Sequence, residues 1–248
     1  MFDVNKNGYT IIFATISCVF CSILLSGANV LLKERQDINK KIDEQRNVLM
    51  AAKLADSETT AESIATFFAA SEGEKALVNG FMIKSATGEK DESVSVEAYL
   101  KKPKDYKDHS LVYECTLKGK ESYILPIVGV GLWGKMYGFL ALKPNGDEVL
   151  GISFYKHQET PGLGAKITDD WFKEQFEGKR LLEKEGDYDS YKGITVLKGF
   201  KVANLSEAEK PYAVDGISGA TITSVGVMDI MKKDIREKYL PYFKLKNK

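Results

Sequence analysis

From Tyr9 to Leu32 the chain reads YTIIFATISCVFCSILLSGANVLL, with no ionised residue, and is followed at once by KERQDINKKIDEQR. As a helix this run extends about 36 Å, enough to cross a hydrocarbon core about 30 Å thick with some tilt. A buried helix of a soluble protein would keep polar positions along one face, and this run has almost none. A cleaved signal peptide would place its small-residue site at Ser26-Gly27-Ala28, but the run continues past that point and only Lys6 precedes it. The sequence therefore predicts a retained transmembrane helix over 9–32 behind a short N-terminal segment, 1–8. Lys33, Arg35, Lys40 and Lys41 follow the span. The positive-inside rule alone would keep the rest of the chain cytoplasmic.

The remainder reads as a globular α+β domain. Its charges give no footprint for nucleic acid, since 35 basic and 35 acidic residues cancel. Three cysteines exclude a disulfide framework; Cys18 and Cys21 lie in the span as packing residues, and Cys115 reads as a buried small hydrophobe. His109 is expected in a loop and His157 at a strand end, and no H-E-x-x-H or similar spacing offers a metal site. Lys33 to about Lys53 suits a helix leaving the membrane surface. DSETTAESIATFFAAS suits a second helix capped by Asp or Ser.

From Val78 onward β-branched and aromatic residues alternate with turn signals. GFMIKSATGE, SVSVEAYL, LVYECTLKGKESYILPIVGVG and YGFLALKPNGDEVLGISFYKH all read as sheet-building, with KPNGDE as the clearest turn. DDWFKEQFEGKRLL predicts a short helix capped by Asp169 or Asp170 with Trp171, Phe172 and Phe176 inward, and GITVLKGFKVAN returns to strand. Val227, Met228, Met231, Ile235 and Tyr239 then recur near helical spacing. The expected architecture is a mainly antiparallel sheet with packed helices.

Two stretches carry chemistry. In DGISGATITS, Asp215 to Ser224, Gly219 and Ala220 remove bulk while Ser218, Thr221, Thr223 and Ser224 supply hydroxyls. A helix starting here would aim its free N–H groups and positive dipole end at the same spot, a natural phosphate site; the plainer reading is a helix N-cap with extra hydroxyls. HQETPGLGAK, His157 to Lys166, reads by itself as a turn.

Together these stretches resemble the covalent FMN-binding domain family, whose signature is an Asp, then Ser or Thr, then Gly-Ala-Thr. The matching positions are Asp215, Ser218, Gly219, Ala220 and Thr221. The resemblance implies one FMN per chain, esterified through its phosphate to Thr221, with Thr223 as the fallback acceptor. It also implies that the E-T-P-G-L-G segment lies against the flavin ring, which maps onto Glu159, Thr160, Leu163 and Gly164. Lys198 corresponds to a family lysine near the flavin, where a cation would favour the reduced form; the plain alternative is a solvated strand end. Within the family, GVGLWGKMYGFLAL resembles the branch formed by the C subunits of Na+-translocating NADH:quinone reductases. The sibling FMN-carrying G subunits of Rnf-type electron transport complexes share the other two motifs but usually lack this run. Trp133 would stack near the flavin or else pack in the core.

What the resemblance implies is an electron carrier between redox centres of a membrane complex. Its partners would be the other subunits, especially the other covalent-FMN membrane subunit, together with a periplasmic flavin transferase for maturation and membrane lipid. Because that transferase acts outside the cytoplasm, the soluble part is expected in the periplasm, anchored in the bacterial inner membrane, against the Lys/Arg bias. Sodium pumping and NADH oxidation would fall to partners. The expected organisation is 33–118 as membrane-proximal helices and first strands, 119–240 as the FMN-binding domain and 241–248 as a tail. Rival readings are a serine hydrolase using Ser218 or Ser224 with His109 or His157, which lacks a G-x-S-x-G elbow, and an anchored binding module without redox chemistry.

Overall fold

The computed structural model describes residues 7–56, 58–69, 77–117, 120–199 and 201–247. The chain divides into two units, one ending at Asp43 and one beginning at Glu44; the division falls inside helix α1, Asn7–Ala51.

In the first unit, Ile11, Ile12, Phe13, Ile16, Val19, Phe20, Ile23, Leu24 and Leu25 are all exposed. The helix is long and apolar enough to cross a membrane by length and composition. Its hydroxyls bond back to its own backbone: Thr15 Oγ1 donates to the Ile11 carbonyl at 2.8 Å and Ser22 Oγ to the Cys18 carbonyl at 2.7 Å. Polar side chains so paired are tolerated in hydrocarbon.

The second unit is built on a five-stranded antiparallel sheet in the order β1-β2-β3-β4-β5: Val78–Lys84, His109–Leu117, Lys120–Val130, Lys135–Leu142 and Val149–Lys156. A separate parallel pair joins β6, Thr195–Leu197, to β7, Ala213–Asp215. The fold is α+β. Val48, Leu49 and Ala51 of α1 are buried, and Ser153 Oγ of β5 donates to the Asn47 carbonyl at 2.9 Å.

Helix α2, Ala61–Phe68, is capped by Thr60, whose hydroxyl accepts from Ser63 N. The expected cap was Asp or Ser; Asp56 instead closes a local turn onto Glu58 N, and Ser57 lies outside the described residues. SVSVEAYL, read as strand, runs into helix α3, Val96–Lys101. Ser95 Oγ accepts from Ala98 N at 3.1 Å, and β1 pairs instead with β2 across the intervening segment. A local cap here outweighs β-branched composition. His109 opens β2 and its Nε2 lies 3.0 Å from Asp91 Oδ2.

Helix α4 is shorter than expected, Asp170–Lys173, and tightens into a 3-10 turn, Glu174–Phe176. Phe172 and Phe176 are fully buried, but Trp171 is 45% exposed, against the expectation that all three face inward. Neighbouring residues on a helix point about 100° apart, so Trp171 and Phe172 cannot share the core face. The terminal helical segments are α5, Thr221–Asp229, a π-helical turn at Ile230–Asp234, α6, Ile235–Lys238, and α7, Leu240–Lys246. The π turn shifts the helical frame, so Val227, Ile230, Met231 and Ile235 all reach the core. The segment read as a tail supplies α7, and Tyr242 and Phe243 are buried beside Tyr123.

Helix α5 lies almost in backbone contact with β3. A Cβ at Gly226 would stand 2.1 Å from the Val130 carbonyl oxygen, so only glycine permits this approach. That contact brings the start of α5 to the end of the sheet where β3 turns into β4 and β5 finishes.

Candidate functional site

Three loops meet at that end of the sheet. The β3–β4 turn carries Gly131-Leu132-Trp133-Gly134 and is closed by Gly131 N donating to the Gly134 carbonyl at 2.8 Å. The run from Gly129 through Gly131 to Gly134 has G-x-G-x-x-G spacing. Here it joins two antiparallel strands and opens no helix, so the context a dinucleotide fingerprint needs is missing.

The second loop follows β5. Thr160 carbonyl accepts from both Leu163 N and Ala165 N at 3.1 Å, which curls ETPGLG into a compact turn. Glu159 is only 5% exposed. Its Oε1 accepts from Trp133 N at 2.9 Å and its Oε2 accepts the hydroxyl of Thr223, itself 1% exposed. Burial pushes the Glu159 pKa up, but the Thr223 hydroxyl and the Trp133 and Leu132 N–H groups outweigh it, leaving the carboxyl below its ordinary range. Thr160 Oγ1 accepts from Trp133 Nε1 at 3.0 Å, so the indole, 64% exposed, is held at the surface and not in the core.

The third loop runs from β7 into α5. Ala220 N donates to the Ile217 carbonyl at 3.1 Å around Ser218 and Gly219, and Gly219 has φ +75°, where a side chain would be strained. Leu163 Cδ2 lies 3.0 Å from where a Gly219 Cβ would stand, so the two motifs touch there. Ser224 Oγ accepts from Ile217 N at 3.2 Å, which closes the turn from inside. Ala220 occupies the N-cap position of α5 and offers no side-chain acceptor. Among the described residues, the N–H groups of Thr221, Ile222 and Thr223 therefore have no partner.

The exposed Thr221 lines a cavity of about 670 Å³ with Ser218, Lys198, Lys166, Lys201 and Trp171. That volume lies inside the span of about 300–1,000 Å³ usual for cofactor sites. Asp215 Oδ1 accepts from Val202 N at 2.7 Å and so organises the lysine-bearing loop after β6. None of the three lysines is ion-paired among the described residues.

The expected residues thus fall into four groups. Thr221, Ser218, Gly219 and Lys198 line the cavity; Ala220 is buried at the helix start; Glu159, Thr223 and Gly164 form a packed layer behind; Trp133, Thr160 and Leu163 are exposed outside the cavity lining, with Trp133 bonded to Thr160 and Leu163 against Gly219. Lys166, Lys201 and Trp171 were missed because lysines outside a motif read as solvated and Trp171 was assigned to the core. The hydrolase pairing is not formed. Ser224 is buried on Ile217, His157 Nδ1 is taken by Glu159 N, and His109 is paired with Asp91.

Residues 131–236 match the FMN-binding domain family. Over 237 residues the chain is 34% identical to the C subunit of the Na(+)-translocating NADH-quinone reductase of Yersinia pestis, covering 90% of this chain and 86% of that one. The chain belongs to the family of Na(+)-translocating NADH-quinone reductase C subunits. The C subunit from Neisseria meningitidis serogroup A is 33% identical over 266 residues, covering 99% of this chain and 97% of that one. The solved structure of the Shewanella oneidensis protein of the same family superposes with a TM-score of 0.67 at 26% identity, covering 84% of this chain and 98% of that chain.

The site's chemistry fits the cofactor of the matched domain. An anionic phosphate needs donors and positive potential, and the uncapped start of α5 supplies both beside three lysines. Gly219 leaves the approach to Thr221 free of side-chain bulk.

Proposed function

We propose that this chain carries one FMN, joined through its phosphate to Thr221 Oγ1, and relays electrons between redox centres of a Na(+)-translocating NADH-quinone reductase. The observation that carries the reading is the placement of an exposed threonine hydroxyl at the uncapped, positive end of α5, on a cavity ringed by lysines. In this reading Lys166, Lys198 and Lys201 balance the phosphate and the charge of reduced flavin. Trp133 and Leu163 border the ring, and Ser218 and the first N–H groups of α5 hold phosphate oxygens. Bound there, FMN supplies electron transfer in single steps, which a relay between partners requires.

A phosphoester also explains retention: a micromolar non-covalent site is worth about 8 kcal/mol and empties where free FMN is scarce. The reading places residues 119–240, as the FMN-binding domain, in the periplasm, held by the span at 9–32 in the inner membrane with the N-terminus cytoplasmic. A periplasmic flavin transferase loads it, lipid surrounds the span, and the other covalent-FMN membrane subunit is the principal electron partner. NADH oxidation and sodium translocation reside in other subunits.

Intact mass of the full chain, produced with the transferase, tests this. An FMN-sized increment is expected in the parent and in Thr223→Val and is expected to vanish in Thr221→Ala. An unmodified parent, or an increment that survives Thr221→Ala, overturns it.

A further inference from the structure

Glu159 stands where three separate segments converge. One carboxylate oxygen takes the backbone N–H of Trp133 from the β3–β4 turn, and the other takes the hydroxyl of Thr223, two residues past Thr221 in the first turn of α5. The next residue, Thr160, takes the indole N–H of Trp133. Room for the carboxylate comes from glycines on both sides: a Cβ at Gly131 would lie 2.5 Å from Oε1, and one at Gly164 would lie 2.6 Å from Oε2. A side chain so enclosed, 5% exposed and with both oxygens already accepting, offers a ligand little surface.

The geometry points to Glu159 as a positioning residue that locks the β3–β4 turn at Trp133 and the Thr221-bearing turn of α5 to each other without touching the cofactor. This rests on the FMN reading for its purpose and departs from the expectation that Glu159 lies against the flavin. With both oxygens fixed, the Trp133 turn and the attachment hydroxyl cannot shift independently. The charged form suits the task, because the Thr223 hydroxyl and the Trp133 and Leu132 N–H groups are all donors and a carboxylate only accepts. An amide would have to turn its NH2 toward at least one of them, so Glu159→Gln keeps some of these links and breaks the rest. Acid weakens the lock in the same way, since a protonated carboxyl becomes a donor on one oxygen. The other titratable group in contact is His157, whose Nδ1 accepts from Glu159 N at 3.2 Å.

The chain has two tryptophans, so Trp171→Phe leaves Trp133 as the sole indole. The full chain in detergent, carrying Trp171→Phe and Thr221→Ala to keep it free of covalent flavin, is compared with the same protein bearing Glu159→Gln. Acrylamide quenching and emission anisotropy of Trp133 are the readouts. Glu159→Gln is expected to raise quenching and lower anisotropy while far-ultraviolet circular dichroism is unchanged. In the Glu159 protein the same signals are expected to titrate with one carboxyl as pH falls, in the presence or absence of His157→Asn, and this titration is expected to disappear in Glu159→Gln. Should Glu159→Gln fail to fold, Gly131→Ala, which crowds Oε1, is expected to reproduce the loosened Trp133. A Trp133 signal that neither follows a carboxyl nor moves in these variants overturns the inference. Because these proteins need no flavin, such a failure is separate from failure of the mass test on the parent chain.

Discussion

Two glycines of the PGLG turn, Gly162 and Gly164, are expected to resist substitution for different reasons, and replacing each by alanine separates them. Gly164 has no room: a Cβ would stand 2.6 Å from both Glu159 Oε2 and Thr223 Oγ1, where ordinary contact begins at 3.4 Å. Forcing a methyl into a packed core costs about 1–3 kcal/mol. Displacing Thr223 strips a donor from a buried carboxylate, worth about 1–3 kcal/mol, and because one movement causes both effects they do not simply add. A total of about 3 kcal/mol, at roughly 2–4 °C per kcal/mol for a unit of this size, lowers Tm by about 6–12 °C. Gly162 has φ +77° and nothing within 4 Å of its absent Cβ. Alanine there incurs only backbone strain, about 1–2 kcal/mol. Thermal melts of the full chain in detergent, followed by circular dichroism, measure both. Trp133 emission is expected to change in Gly164→Ala alone, since only that substitution disturbs Glu159. If Gly164→Ala melts no lower than Gly162→Ala and leaves Trp133 untouched, the packed layer behind the site is not as described.

Asp147 anchors the far side of the domain: it is 1% exposed and accepts from Arg180 Nε at 2.9 Å, Leu181 N at 2.9 Å and Leu182 N at 2.7 Å. Asp147→Ala is expected to destabilise by about 3–5 kcal/mol, measured by urea unfolding, with the FMN increment retained on any folded protein. Stability is also expected to fall on acidification. The folded pKa of Glu159 lies below its unfolded value of about 4.3, so its contribution is complete above that pH and is lost as pH falls through the folded value. Glu159→Gln is expected to flatten that part of the stability–pH curve, and an unchanged slope would remove Glu159 from the balance.

Much of the molecule was legible in one dimension because the relevant forces act locally. An uncharged run from Tyr9 to Leu32 forms a helix long and apolar enough to cross a membrane, and the KPNGDE turn sets its own hairpin, with Gly146 at φ +68°. Local reading failed where two local signals competed, as at Ser95, whose cap turned a β-branched run into α3, and at Trp171, whose neighbour Phe172 took the core position.

The sequence by itself determined the long apolar helix, the strand-rich middle and the hydroxyl cluster around Thr221, since each depends on neighbours a few residues apart. Only the tertiary structure decided what those hydroxyls do. Thr221 is exposed over the lysines and Thr223 is buried on Glu159, because α5 is pressed against β3 through Gly226 and Val130 and so fixes which side of its first turn faces out. Lys166, Lys198 and Lys201 likewise meet at one cavity only when the turn after β5 and the loop after β6 are brought to the same end of the fold. Helical phase and long-range backbone contact have no signature in a short motif, so the residue types were readable from the sequence while their geometry was not.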